Sequence, residues 1–184
     1  GPPPLAEEAR RILAVGEPAI EAMLVMGWHA SSDHQFFPKI VLQPYTQCLA
    51  SIGVPPTGRN LRSGKTLCPF CGGAPQLSVL VSAGDADGGG RQLLCATCFT
   101  TWPFGRILCA NCGEEDEHRL GYFHSPEFDH LRVDACDSCM HYLKTVDLTR
   151  QGNAVPLVDE VAGAPLDLWA REHGYHKIEL NLVG

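Results

Sequence analysis

The chain has 184 residues, 45% of them hydrophobic, and a formal net charge of −7. That length suits one ordinary domain or two small ones, and no apolar run approaches the roughly 18 residues of a membrane-spanning helix. The negative balance argues against a nucleic-acid binder, which displaces counterions from phosphate with a basic surface.

The segment GPPPLAEEARR lacks the basic start and apolar run of a secretory signal, so the expected location is the cytoplasm. Residues 1–66 read as a helical region closed by a linker. LAEEARRILAV carries Leu5, Ile12, Leu13 and Val15, and EPAIEAMLVMGW restarts with Pro18 at an early helical position. FFPKIVLQPYTQCLASIGV places Phe37, Val41, Tyr45, Cys48, Leu49 and Ile52 near one face, with Pro44 expected to kink or divide the helix. Cys48 reads as a small core residue on that face rather than a reactive thiol. Residues 53–66, GVPPTGRNLRSGKT, form a Pro/Gly-rich linker holding the only basic stretch.

The remaining eight cysteines form four Cys-x-x-Cys pairs: Cys68/Cys71, Cys95/Cys98, Cys109/Cys112 and Cys136/Cys139. In a secreted chain they would suggest a disulfide framework; without an export signal they read as metal ligands. Each ligand of the first two pairs recurs 41 positions later: Cys68 with Cys109, Cys71 with Cys112, Cys95 with Cys136, Cys98 with Cys139. Equal spacing at four positions marks a duplicated unit. Gly72 and Gly113 follow the leading pairs in register, and FTTW aligns with MHYL after the trailing pairs. A duplicated unit should close on itself, so the expected units are residues 67–105 and 106–150, each with its own ion. A cross-braced arrangement is the alternative.

Within each unit the insert reads as a β-hairpin. PQLSVLVSA and RQLLC flank the turn GDADGGG; HRLGYFHS and HLRVDAC flank PEFD. Such hairpins are too small to stand alone, and a metal across the base supplies the missing free energy, on the order of 10 kcal/mol for structural zinc. This is the zinc-ribbon or rubredoxin-like plan. The fold class is therefore α+β: a helical N-terminal region, two tandem rubredoxin-like/zinc-ribbon metal-binding units and a short α/extended tail over 151–184. Four thiolates suit zinc and a single iron alike. On ligand type alone zinc is favoured, and the closed shell leaves no position for hydrolytic chemistry.

Between Leu67 and Leu143 four basic residues face ten acids, a balance of −6. The run EEDE at 114–117 reads as a solvated loop. In the tail, VPLVDEVAGAP opens with a short acidic helix, a second helix starts at Pro165 and Gly174 is its C-cap. With no GxSxG, P-loop or HExxH, no catalytic residue and no organic cofactor are expected.

The stretch CPFCGGAP…GGGRQLLCATCFTTWPFGRILCANC resembles the formate dehydrogenase accessory proteins, the FdhE family, whose pattern runs CPxCGxxP…GxRxLxCxxCxxxWxxxRxxCxxC. The YLK of Tyr142–Lys144 and the tail PLVDEVAGAPLDLWAREHGY, with Asp159, Glu160, Leu166, Asp167, Glu172 and Gly174, are also similar, as is Asn181. The resemblance covers residues 68–184; the helical N-terminus matches poorly. It implies a non-enzymatic cytoplasmic assembly factor that binds the catalytic subunit of a molybdenum or tungsten formate dehydrogenase. It also implies two metal ions per chain and shifts the preference from zinc toward iron. Arg91, Trp102, Arg106, Asp159 and Glu160 are secondary candidates for partner contact. A rubredoxin-like electron carrier and a zinc-ribbon nucleic-acid module are the competing readings.

Overall fold

The computed structural model describes residues 3–27, 36–55, 65–82 and 90–181. The centre of the 53–66 linker, the GDADGG tip and the last three residues lie outside that set. The architecture is mixed α+β, as the sequence predicts.

Helices α1 (Pro3–Val15) and α2 (Glu17–Gly27) meet at Gly16, whose φ of 73° lets the chain break between them. Helix α3 (Phe36–Ser51) contains Pro44 and is not divided by it. Its buried residues are Pro38, Leu42, Gln43 and Thr46. Most of the predicted face is instead on the outside: Val41 is 48% exposed, Tyr45 58% and Ile52 64%, Cys48 is exposed rather than a core residue, and only Phe37 and Leu49 are half-buried. The reason is polar. Gln43 Nε2 donates to Ala96 O at 2.8 Å and Thr46 Oγ1 to Thr97 O at 2.7 Å, so α3 docks through side-chain donors on a cysteine knuckle. Apolar periodicity carries no signal for such a contact.

The strands are β1 (Pro75–Val81), β2 (Gly90–Cys95), β3 (Thr101–Phe104), β4 (Leu120–His124), β5 (Leu131–Cys136), β6 (His141–Asp147) and β7 (His176–Lys177). Both predicted hairpins form, as β1/β2 and β4/β5. Each gains a third strand from the segment after its trailing cysteine pair, β3 and β6. The duplication is visible in the strands, since β2 and β5 both end on the first cysteine of a trailing pair.

The two meanders are not separate. They fuse into one sheet in the order β3-β2-β1-β6-β5-β4, to which β7 adds a seventh strand beside β6, with β1 and β6 parallel and Leu77 opposite Lys144. The first strand of one repeat lies against the last of the other, a head-to-tail join. The seam is the most enclosed part of the sheet: Leu77, Val146 and Lys144 are all 0% exposed.

Helices α4 (Pro156–Ala162) and α5 (Ala164–Glu172) follow. Leu166 and Ala170 pack on Leu131, Val133, Tyr142 and Val146 of the second unit. Gly174, at φ 84°, turns the chain after α5, and β7 then pairs with the start of β6.

Candidate metal centres

Each cysteine pair sits in the same turn. The amide four residues after each first cysteine donates back to its carbonyl: Gly72 to Cys68 at 2.8 Å, Phe99 to Cys95 at 3.3 Å, Gly113 to Cys109 at 3.1 Å, Met140 to Cys136 at 2.8 Å. The donor residue has positive φ in every case, 70° at Gly72, 58° at Phe99, 78° at Gly113 and 55° at Met140. Backbone of this shape aims amides at sulfur. Thr97 N donates to Cys95 Sγ and Asn111 N to Cys109 Sγ, both at 3.3 Å. Such donors stabilise thiolate over thiol.

Four knuckles make two clusters. Cys68, Cys71, Cys95 and Cys98 converge, as do Cys109, Cys112, Cys136 and Cys139, with the sulfurs of each set within 4.8 Å of one another. Each cluster draws on one repeat only, which is the self-closed arrangement and not the cross-braced one. All eight are free thiols. The contacts are Cys68–Cys98 3.6 Å, Cys71–Cys95 3.4 Å, Cys109–Cys139 3.7 Å and Cys112–Cys136 3.8 Å. Sulfurs placed about 2.3 Å from a central ion have tetrahedral edges of about 3.8 Å, whereas a disulfide needs about 2.05 Å. The donor set and spacing fit one soft or borderline ion per cluster.

The electrostatics agree. Thiols this close compete for ionisation: hydrogen bonding with Cys68 drives Cys95 far above its usual range and Cys98 far below it. In the second cluster burial pushes the Cys109 thiol up to about 12. A divalent cation at the centre removes that conflict, because coordination deprotonates the thiol outright.

Of the secondary candidates, Arg106 is exposed, whereas the other four make contacts within the fold. Arg91 is 4% exposed and pairs with Asp134 at 2.9 Å. Trp102 is 7% exposed and its Nε1 donates to Lys65 O at 3.2 Å. Asp159 meets His130 Nε2 at 3.0 Å. Glu160 is fully buried and cannot meet a partner from the surface. It belongs to a closed ion network that joins the tail to β6. Lys144 Nζ is 3.2 Å from Glu160 and 2.6 Å from Asp167; Lys177 contacts Glu160 and lies 3.2 Å from Asp167. Tyr142 donates to Asp167 at 2.8 Å and Asn181 to Glu160 at 2.6 Å. Of the family-like tail residues, Glu160, Asp167 and Asn181 thus belong to this network. Nothing in their spacing indicates it, because charged residues are ordinarily expected at the surface.

Two rubredoxin-like four-cysteine cages in one sheet, flanked by helices, define a protein with two candidate metal centres. The comparisons narrow this further. Residues 67–106 match a model of "FdhE, central domain" and residues 107–183 one of "FdhE, C-terminal domain". A "Protein FdhE homolog" of Aquifex aeolicus is 40% identical over 120 residues, covering 65% of this chain and 42% of that protein. One from Pseudomonas aeruginosa is 36% identical over 126 residues, covering 65% and 40%. The crystal structure of the FdhE protein from Pseudomonas aeruginosa superposes with a TM-score of 0.66 at 25% identity, over 91% of this chain and 65% of that one. The chain belongs to the FdhE family, and it spans about two fifths of the length of these two curated relatives.

Proposed function

We propose that this chain is part of an accessory factor for formate dehydrogenase, and that its two four-cysteine cages form a rigid platform for the immature catalytic subunit. Each cage holds one ion through its own four cysteines, with iron favoured by the family resemblance and zinc the alternative. The observation that carries the reading is the pair of complete sulfur cages locked into a single sheet in a chain of the FdhE family. Such cages stiffen a small sheet, and iron would add one-electron chemistry.

The platform itself is non-catalytic on this reading, because a full thiolate shell leaves no coordination position for substrate. We assign it to the cytoplasm, where the immature subunit is met. Among the described residues no helix is long and apolar enough to cross a membrane. The working division is residues 1–66 as a helical region and linker, 67–105 and 106–150 as the metal units, and 151–184 as a tail that braces the second unit.

Anaerobic purification with elemental analysis and a visible spectrum tests the metal reading, with two irons and thiolate-to-iron absorption expected. Capture of the formate dehydrogenase catalytic subunit by the metal-loaded chain, lost after chelation, tests the platform. Reversible reduction without affinity for that subunit would return the electron-carrier reading.

A further inference from the structure

The two cages share a blueprint but not an environment. In the first, Cys68, Cys71, Cys95 and Cys98 are 2%, 0%, 0% and 3% exposed. In the second, Cys109 and Cys136 are buried at 6% and 1%, but Cys112 is exposed and Cys139 half-buried. The same contrast holds at most knuckle positions, the reverse being true of exposed Pro69 and its equivalent, buried Ala110. Ala96 is 2% exposed, whereas its repeat equivalent Asp137 is exposed, as are Ser138 and Asn111.

Two independent features create the difference. The first is α3, which caps the Cys95–Cys98 knuckle through Gln43 and Thr46 and packs Ala50 against the first cage. Among the described residues the Asp137–Ser138 turn has no such helix over it. The second is Gly73. A Cβ there would stand 2.8 Å from Thr97 Oγ1, 3.1 Å from Cys95 Sγ and 3.3 Å from Cys71 Sγ, so the first cage is closed to the last atom. The residue at that repeat position in the second unit is Glu114, a full side chain that reaches Ser138 Oγ at 2.6 Å. The second cage has room where the first has none.

We propose that the cages have divided roles: the first is a locked structural centre, and the second is an open centre whose ion exchanges with external thiolate or chelating ligands. This rests on the metal reading above. Cys112 is the entry point. An incoming thiolate forms a bond to the ion as the Cys112 sulfur releases its own, and the freed Cys112 thiolate takes a proton from water. No oxidation state changes. The Cys139 sulfur leaves in the same way, and displacement of the buried Cys109 and Cys136 sulfurs by further external donors, each freed thiolate taking a proton from water, completes the transfer. The partner chemistry is therefore a soft donor, such as a cysteine of another protein.

The experiment uses the full chain loaded anaerobically with cobalt(II), whose thiolate absorption reports each cage. Excess EDTA should remove the metal in two phases of equal amplitude with rates at least tenfold apart, about 1.4 kcal/mol in barrier. Cys112→Ser should abolish the fast phase and leave the slow one. The double variant Gln43→Ala/Thr46→Ala should accelerate only the slow phase. A brief iodoacetamide pulse on the wild-type chain, mapped by peptide mass, should label Cys112 and Cys139 as the fast phase proceeds; exposed Cys48 labels throughout and serves as reference. That map decides the matter even if the cysteine variant does not fold. A single phase, or early labelling of Cys68, Cys71, Cys95 and Cys98, overturns the division of roles while leaving the metal reading intact. Failure of either cage to bind cobalt, iron or zinc overturns the metal reading itself.

Discussion

Arg91 of the first unit and Asp134 of the second form a buried ion pair, Nη2 to Oδ2 2.9 Å, with side chains 2% and 8% exposed. A polar ladder runs beneath it across the sheet. Arg91 Nε donates to Ser78 Oγ at 3.3 Å, Ser78 and Thr145 hydroxyls are 2.5 Å apart, and Thr145 donates to Asp134 at 2.7 Å. Strands β2, β1, β6 and β5 each give one residue, so the ladder crosses the seam between the repeats. Arg91 also donates to Gly105 O and Leu108 O, at 3.2 and 3.0 Å, and so fixes the turn that leads into the second cage.

Arg91→Met should therefore loosen the join rather than either cage. Removing one partner of a buried pair typically costs about 3–5 kcal/mol. Arg132 Nε, 2.7 Å from Asp134, partly compensates and puts the expectation near the lower end. Urea unfolding of the metal-loaded chain is the measurement. Arg91→Lys should recover little, since an ammonium cannot span Asp134 and two carbonyls at once.

The Lys144–Glu160–Asp167–Lys177 network makes the tail pH-sensitive. Burial pushes the Glu160 carboxyl up, but the pull of Lys177 and Lys144 outweighs it and holds the group below the usual carboxylate range. The unfolded chain then binds more protons than the folded one in acid. The stabilisation is complete above the ordinary value of about 4.3 and is lost as pH falls through the lower folded value. Glu160→Gln should lose about 3 kcal/mol at pH 7 and show a shallower decline in acid than wild type. Thiol protonation is common to both proteins, so the difference between their pH profiles isolates Glu160.

The 41-residue register of the cysteines is a one-dimensional signal, and it was enough to group both cages, while strand and turn residues gave both hairpins. The parallel β1–β6 seam was not legible. PQLSVLV is buried on almost every residue, so it shows no alternation to say which neighbour covers which face. The face of α3 was misread because its anchors are Gln43 and Thr46, which apolar periodicity ignores. Arg91 and Glu160 were expected at a partner surface; their burial depends on partners away in sequence, Asp134 and Lys144.

The knuckle turns separate conformational cost from packing cost. Gly113 has φ 78°, and a Cβ added there meets nothing within 4 Å. Gly113→Ala should lose about 1–2 kcal/mol from left-handed backbone alone. Met140, at φ 55° in the matching trailing turn, already bears that strain. Met140→Gly relieves it but loosens the unfolded chain by about 0.5–1 kcal/mol, so its stability should stay close to wild type. Thermal unfolding of the two variants side by side checks the contrast.

Gly73→Ala tests the opposite limit, where space and not φ is decisive. The new methyl would press on Thr97 Oγ1 at 2.8 Å and on two cage sulfurs, Cys95 and Cys71, at 3.1 and 3.3 Å. The Thr97 backbone is held by its amide bond to Cys95 Sγ and the Thr46 donation to its carbonyl, and rotating its side chain would still leave both sulfur contacts. The knuckle must shift as a unit, and overpacking of this kind costs about 1–3 kcal/mol. The loss should appear as weaker metal retention by the first cage alone, read by competition with a chelator of known affinity. Glu114→Ala, the matching position in the second unit, removes the contact with Ser138 and should leave retention by the first cage unchanged. A Gly73→Ala protein that held both ions as tightly as wild type would show that the close approach of Gly73 to the sulfurs does not constrain the cage.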